Sequence, residues 1–308
     1  MDPIPQSGSP RVSIILPTYR TSVPRLAASI DSALAQTMTS WELIVVDDGS
    51  EHPYAGLDTM SPYRKDARIV WQPMTSNVGV AAARNAGMQR SRGGCIAFLD
   101  CGDVWHAEKL ERQLGKLESL PEDYGLVTCG VRYAGDGKSY VRIPRHRGDL
   151  LRQLLVRVVI PGSPSSVLMR RDVLDRVGLF YAARDLPEDR DYWIRACKEF
   201  KLDYVPEVLV DIEIDPGGRG ADPARKAITY RRLLERYAMD IEEAGVEQQA
   251  WAHYYLFLAK KHLRRQEWLG AARSIGTALL RTPAGVVALS GVPLRNWLSS
   301  AAYRLRNS

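Results

Sequence analysis

Cysteine is scarce: four in 308 residues, at positions 95, 101, 129 and 197, with no two in a C-x-x-C pair. This pattern indicates neither a disulfide framework nor a zinc site, so the thiols are expected to be reduced core side chains. Long apolar runs are absent too. No stretch approaches the roughly 20 apolar residues of a membrane span, and the opening MDPIPQSGSP carries neither a basic start nor an apolar signal core. The expected location is the cytoplasm. Charge of one sign is not dominant either, since 42 Lys and Arg face 36 Asp and Glu for a formal net charge of +6. That balance suits an anionic partner such as a nucleotide diphosphate, a lipid headgroup or a nucleic acid, without choosing among them. With no recognisable nucleic-acid-binding module, nucleic acid ranks last.

What is present is an alternation of strands and helices. The chain is long enough to bury a full core. VSIILP (12–17), ELIVVDD (42–48), RIVWQ (68–72) and CIAFLD (95–100) are short β-branched or aromatic runs that read as strands. Between them, PRLAASIDSALAQ (24–36) has proline in its first turn and an apolar face at Leu26, Ile30, Ala33 and Leu34, and a second helix covers 80–90. A βαβα order of this kind predicts a largely parallel sheet covered by helices. After Asp103 the rhythm turns mixed: a helix over 106–120, a strand GLVTCGVRY, a polar loop AGDGKS, a basic stretch, a helix over 150–158 and a last strand around 204–214. DPGGRGADP (215–223) breaks the pattern. Beyond it everything reads as helix, including one tetratricopeptide-like hairpin that, as a single copy, is expected to pack on the main domain.

Acidic residues stand where these strands leave the core, as in FLDCGDVW (98–105), and the strand ends of open α/β sheets are where ligands bind. Taken in order, SIILPTYR, ELIVVDDGS, SNVGVAAARNAG, FLDCGDVW and PEDRDYWIR resemble the family 2 glycosyltransferases of the GT-A fold. The resemblance covers roughly 11–215. It implies an α/β fold with a Rossmann-like mixed sheet flanked by helices, preceded by a flexible N-terminus (1–10) and followed by an α-helical C-terminal extension (216–308). The implied activity is inverting, non-processive transfer of one sugar from a nucleotide diphosphate sugar, by family habit a UDP-sugar, to a hydroxyl of a glycan or lipid-linked saccharide. Processive members carry a Gln-x-x-Arg-Trp motif and membrane helices, and RDYWIR does not match that motif.

By the same resemblance, Pro17 and Tyr19 line the base pocket, Asp48 accepts from base or ribose, and Asp47 braces its loop. Arg84 is open to two readings, a contact to the donor phosphates or sugar and an ion pair with a site aspartate. Asp189 is the implied general base, with Glu188 in support, although acids at a helix start are also explained by the helix dipole. Gly-Ser-Pro-Ser-Ser at 162–166 is open to two readings, part of the acceptor or sugar pocket by similarity to the family and an ordinary loop feeding the strand VLM.

The departure from the family lies in Asp100-Cys101-Gly102-Asp103, because the middle acid of Asp-x-Asp-Asp is replaced by glycine. That acid commonly ligates Mg²⁺ or Mn²⁺ on the leaving diphosphate. Three readings stand. Asp103, or Asp100 through water, takes over the cation, with Asp215 supplying a carboxylate where the family often has histidine. Alternatively, basic side chains such as Arg84 or Arg219 neutralise the diphosphate. In the third, the chain is a catalytically impaired nucleotide-sugar-binding scaffold. A nucleotidyltransferase is disfavoured because ILPTYRTSVPR is not a glycine-rich phosphate loop. The last segment, TPAGVVALSGVPLRNWLSSAAYRLRNS, mixes Trp297 with arginines and offers a peripheral contact with the inner face of the cell membrane as an alternative to packing on the main domain.

Overall fold

A computed structural model describes residues 9–135, 137–162, 164–214, 223–284 and 286. In the first half, β1 (Val12–Thr18), β2 (Trp41–Asp47) and β3 (Ile69–Pro73) run parallel, and β4 (Cys95–Phe98) joins β1 on its other side in the same sense. The crossovers carry α1 (Val23–Leu34), α2 (Ser61–Arg64) and α3 (Val80–Arg90). Every residue of β1 and β2 is buried, as expected of parallel strands covered on both faces, and this explains why they read as continuous apolar runs. α3 comes close to the sheet because its residues are small: a Cβ at Gly87 would lie 2.5 Å from Ile15 Cγ2.

The second half adds β5 (Val104–Trp105), α4 (Lys109–Glu118), β6 (Tyr124–Gly135), β7 (Lys138–Arg142), α5 (Leu151–Val156), β8 (Leu168–Arg170), α6 (Arg171–Val177), α7 (Glu188–Glu199) and β9 (Lys201–Glu213). Among the described residues the nine strands form one sheet in the order β3-β2-β1-β4-β8-β6-β9-β5, with β7 on β6. β8 is antiparallel to both β4 and β6, β9 is parallel to β6, and β5 is antiparallel to β9. The sheet is therefore mixed. Strand order reverses between β1 and β4, so the crevice for a ligand opens at Thr18 and just beyond Phe98.

The described residues fall into two compact units, one of 9–151 with 158–214, the other of Arg152–Arg157 with the chain from 223 onward. The second contains α8 (Pro223–Arg236), α9 (Ala238–Glu243), α10 (Glu247–Arg264) and α11 (Trp268–Arg281). α10 and α11 form the anticipated hairpin, turning at Gln266 with φ +60°. Ala252 and Ala278, both fully buried, lie in its seam. No helix among the described residues is long and apolar enough to cross a membrane.

Three details differ from the sequence reading. The polar stretch AGDGKS is not all loop: β6 runs on to Gly135, and β7 begins at Lys138 within it and pairs with β6 as a hairpin through Gly135 and Lys138. β5, only two residues long, exists because Val104 and Trp105 find Asp211 and Val210 on β9. α4 starts at Lys109 rather than 106, because the His106 N–H is bonded to the Leu209 carbonyl at 3.0 Å and lies outside the helix.

Candidate active site

On the β1–β2 side of the crevice, two loops are tied together. The Asp48 N–H donates to the Thr18 carbonyl at 2.9 Å, and the Arg20 N–H to Ser50 Oγ at 3.1 Å. Pro17 is buried in β1 opposite Val46, whereas Tyr19 is half-buried with the Arg20 guanidinium 5.3 Å from its ring. The Asp47 carboxylate accepts from the Ser50 and Tyr54 N–H groups at 3.1 and 3.2 Å, which braces that loop. Asp48 is turned toward the start of α3. It accepts from the N–H groups of Val78 and Gly79 at 2.8 and 2.9 Å and from Asn77 Nδ2 at 2.9 Å. Arg184 holds the same loop from the other side, donating to the carbonyls of Val78 and Asn77 and to Asn77 Oδ1 at 2.8–3.0 Å.

Beyond β4, Asp100 to Asp103 make a tight turn closed by the Asp103 N–H on the Asp100 carbonyl at 2.9 Å. Gly102 sits at its apex with φ +103°, a backbone state that side chains disfavour. Ser29 of α1 grips the turn: its Oγ accepts from the Gly102 N–H at 2.9 Å and donates to the Asp103 carbonyl at 2.8 Å. Ser165 grips it from the other side, accepting from the Asp100 N–H at 2.9 Å and donating to Asp103 Oδ2 at 2.5 Å. The Asp103 carboxyl is thus held inward. Burial, and then the charge on Asp100, push it up to about 8.

Arg84 connects this turn to the start of α7. Its guanidinium, 3% exposed, bonds Asp100 Oδ1 at 2.6 Å and Glu188 Oε1 at 3.3 Å, and it lies 5.6 Å from the Phe180 ring. Burial alone would disfavour its charge, but the two carboxylates more than offset that and hold the proton more tightly. Of the two sequence readings for Arg84, the ion pair is the arrangement found. Asp189 follows Glu188 in the first turn of α7, after Pro187. Burial and the neighbouring Glu188 push its carboxyl up to about 6. Phe180 stacks on Tyr192 at 4.1 Å and meets Phe98 edge-on at 5.4 Å, which fixes the helix start against the sheet.

The fold therefore gathers Arg84, Asp100, Asp103, Glu188 and Asp189 at one place, with Tyr19, Asp47 and Asp48 along the adjoining strand ends. Asp215, Arg219 and Trp297 lie outside the described residues. Of the two readings for Gly-Ser-Pro-Ser-Ser, the pocket reading does not fit Ser165 and Ser166: both are fully buried, and the Ser166 hydroxyl bonds the Pro161 carbonyl and Thr128, while Ser163 lies outside the described residues. Their hydroxyls hold the turn and the sheet instead of facing a sugar. Ser29 and Arg184 were not anticipated. The small polar residue in an apolar helix face, ASIDSAL, is the only signal for Ser29, and nothing marks Arg184.

The donors for a divalent cation are poorly supplied. Among the described residues no three acidic, histidine or cysteine side chains gather to hold one. Asp100 is taken by Arg84, Asp103 by Ser165, and position 102 has no side chain. The described residues do not fit the ion that the resemblance implies.

The sequence profile of glycosyl transferase family 2 matches residues 13–178. The uncharacterized glycosyltransferase YwdF of Bacillus subtilis is 26% identical over 268 residues, 83% of this chain and 92% of that protein. WfgD of Escherichia coli, a UDP-Glc:α-D-GlcNAc-diphosphoundecaprenol β-1,3-glucosyltransferase, is 39% identical over 108 residues, 34% of this chain and 40% of that protein. Two solved structures share the fold. TarS 1–349 of S. aureus with UDP has a TM-score of 0.58 at 15% identity, covering 87% of this chain and 90% of that one. The mannosyltransferase PcManGT of Pyrobaculum calidifontis, with GDP-Man and Mn²⁺, has a TM-score of 0.58 at 18% identity, covering 98% of this chain and 86% of that one. With its mixed sheet, its strand-end acids and a profile match across more than half its length, the chain belongs to glycosyl transferase family 2 and has the GT-A fold.

Proposed function

We propose that the protein transfers a single sugar from a UDP-sugar to a hydroxyl of a lipid-linked saccharide, with inversion at the anomeric carbon and Asp189 as general base. The observation that carries this reading is the Arg84 bridge. By pairing with Asp100 on one side and Glu188 on the other, it ties the start of α7 to the strand-end turn, which keeps Asp189, the next residue, close to Arg84 and Asp100. The nucleotide would lie along the β1 and β2 ends, against Tyr19 and the loops organised by Asp47 and Asp48.

In the proposed step, the Asp189 carboxylate accepts the acceptor's hydroxyl proton while that oxygen attacks the anomeric carbon. The bond from that carbon to the phosphate oxygen breaks, and its electron pair leaves with UDP. A carboxyl near 6 suits this task, being ionised at neutral pH and more basic than an ordinary aspartate. Glu188, held by Arg84, keeps its neighbour in place. WfgD acts on a diphosphoundecaprenol-linked acceptor, and TarS binds UDP, which supports this choice of acceptor and donor.

The test is incubation with an α-linked UDP-sugar and a polyprenyl-diphosphate-linked N-acetylglucosamine, with the new linkage read by its NMR coupling constant. A β linkage is expected. An α linkage would remove the single-displacement reading and with it the role given to Asp189.

A further inference from the structure

The basic stretch singled out in the sequence takes no part in the site described above, and it leads out of a thinly covered part of the sheet. β6 is buried from Gly125 to Val131, and its last four residues, Arg132 to Gly135, are exposed or half-buried. β7 pairs with that outer part, Arg132 opposite Val141 and Tyr133 opposite Tyr140, and has β6 as its only strand partner among the described residues. Tyr140, Val141 and Ile143 are 47%, 49% and 39% exposed. From Lys138 to Gly148 the sequence reads KSYVRIPRHRG, with four Lys and Arg and no acid, and Asp136 and Asp149 stand on either side of the run. Arg142, Arg145 and Arg147 are exposed and form no ion pair among the described residues. Described acids nearby are engaged elsewhere: Asp149 takes the Leu151 N–H at the start of α5, Asp211 pairs with His106 and Arg132, and Glu213 pairs with Arg25.

We propose that this ribbon and the basic stretch behind it dock the protein on an anionic lipid surface, with Tyr140, Val141 and Ile143 among the headgroups and Arg142, Arg145 and Arg147 on lipid phosphates. The inference goes beyond the transfer reading above and stands on a different part of the catalytic unit.

The composition of the surface carries it. Cations alone on an edge strand are explained as protection against pairing with another chain. An edge guarded in that way has no use for three exposed apolar side chains beside the cations, whereas a lipid interface takes both: apolar and aromatic groups enter the headgroup layer and guanidinium groups bind phosphate oxygens. The aromatic part is built as a unit. Tyr140 stacks on Tyr133 with ring centroids 5.0 Å apart, and the Arg142 guanidinium lies 5.8 Å from one ring and 5.9 Å from the other. A second copy pairing edge to edge would set these arginines against their own kind, which like-charge repulsion disfavours. Nucleic acid would match the arginines and leave Val141 and Ile143 without a role. The ribbon is also rooted beside the site, since the Tyr133 hydroxyl takes the Gly162 N–H at 2.8 Å, three residues before the Ser165 that grips the acidic turn. Each Lys or Arg near an anionic membrane strengthens binding about fivefold, so three arginines contribute roughly a hundredfold at low salt, and screening removes most of it at high salt.

The experiment is cosedimentation of the full chain with vesicles of phosphatidylcholine, alone and mixed with phosphatidylglycerol, at low and high salt. The parent is compared with a charge variant (Arg142→Gln, Arg145→Gln, Arg147→Gln) and an apolar variant (Tyr140→Ser, Val141→Thr, Ile143→Thr). The parent is expected to bind mixed vesicles at low salt, to be released at high salt and to ignore phosphatidylcholine. The charge variant should bind at least about tenfold more weakly and the apolar variant should also lose affinity, both with the parent's melting temperature and its rate on a water-soluble acceptor. A measurement on the parent alone locates the contact: mixed vesicles should slow trypsin cleavage after Arg145 and Arg147. A parent that ignores mixed vesicles overturns the proposal, as do parental affinity in both variants, unslowed cleavage at these arginines on bound protein, and a preference for duplex DNA over vesicles. Loss of vesicle binding with soluble transfer intact sinks this inference alone, whereas vesicle binding without transfer to any acceptor sinks the transfer reading and leaves this one.

Discussion

Asp189 is placed by its neighbours to work as a base and to suffer for it. Burial and the adjacent Glu188 raise its carboxyl to about 6, so the carboxylate that must take the proton is lost as pH falls through that value. Transfer rate should be flat above about pH 7 and fall tenfold per unit below 6, in the limb set by a single essential base. The stability sign runs the other way. A folded value above the unfolded one means the folded chain holds the proton more tightly between about 4 and 6, so ionised Asp189 detracts from stability at neutral pH. Asp189→Asn should therefore lower turnover by roughly 10²–10⁴-fold while melting no lower than the parent at pH 7.5. A variant that kept activity, or that lost it only by unfolding, would remove Asp189 from the chemistry. The existence of this residue was legible in PEDRDYW. Its raised value was not, because the first cause is burial, which depends on how the rest of the fold packs over the helix start.

At the scale of elements, strands with a continuous apolar run were the readable ones. β1, β2 and β4 are buried on both faces, so composition alone marked them. β5 and β7 escaped for the opposite reason. Each is short or exposed and exists through pairing with β9 or β6, information that is not local to the segment. The loop before α3 shows the same limit. SNVG reads as a helix start, yet what fixes it is the Asp48 carboxylate, which takes two backbone N–H groups and a side-chain amide from 29–31 residues away. Asp48→Asn would turn an amide donor toward donors. Leaving buried N–H groups unmatched costs about 1–3 kcal/mol, so a clear drop in the urea midpoint is expected, together with weaker nucleotide binding. An unchanged midpoint would show that the loop stands without this carboxylate.

For the whole molecule, the sequence suggested a division between 215 and 216, drawn where glycine and proline accumulate. The packing divides the described chain differently, since Arg152–Arg157 are grouped with the helical C-terminal unit although the residues on either side belong to the other. Within that unit the Tyr230 hydroxyl donates to the Val156 carbonyl at 2.9 Å and also meets His253 Nδ1 at 2.8 Å. Leu154 and Leu155 are each 1% exposed and Val156 8%. An interior segment that joins the helices of a later one is invisible to composition, because its apolar residues look like those of any amphipathic turn. The consequence concerns truncation. A chain ending at 214 would keep every strand and every described site residue, and the sequence boundary would predict an intact catalytic domain. The packing predicts instead that Leu154, Leu155 and Val156 lose their cover and become an exposed apolar cluster of the kind that drives association. The truncated chain should bind an apolar dye such as ANS, melt several degrees below the full chain and aggregate at concentrations where the full chain does not. If it stays monomeric, dye-silent and unchanged in melting temperature, the grouping of 152–157 with the C-terminal helices has no energetic weight and the simpler division at 215 is the right one.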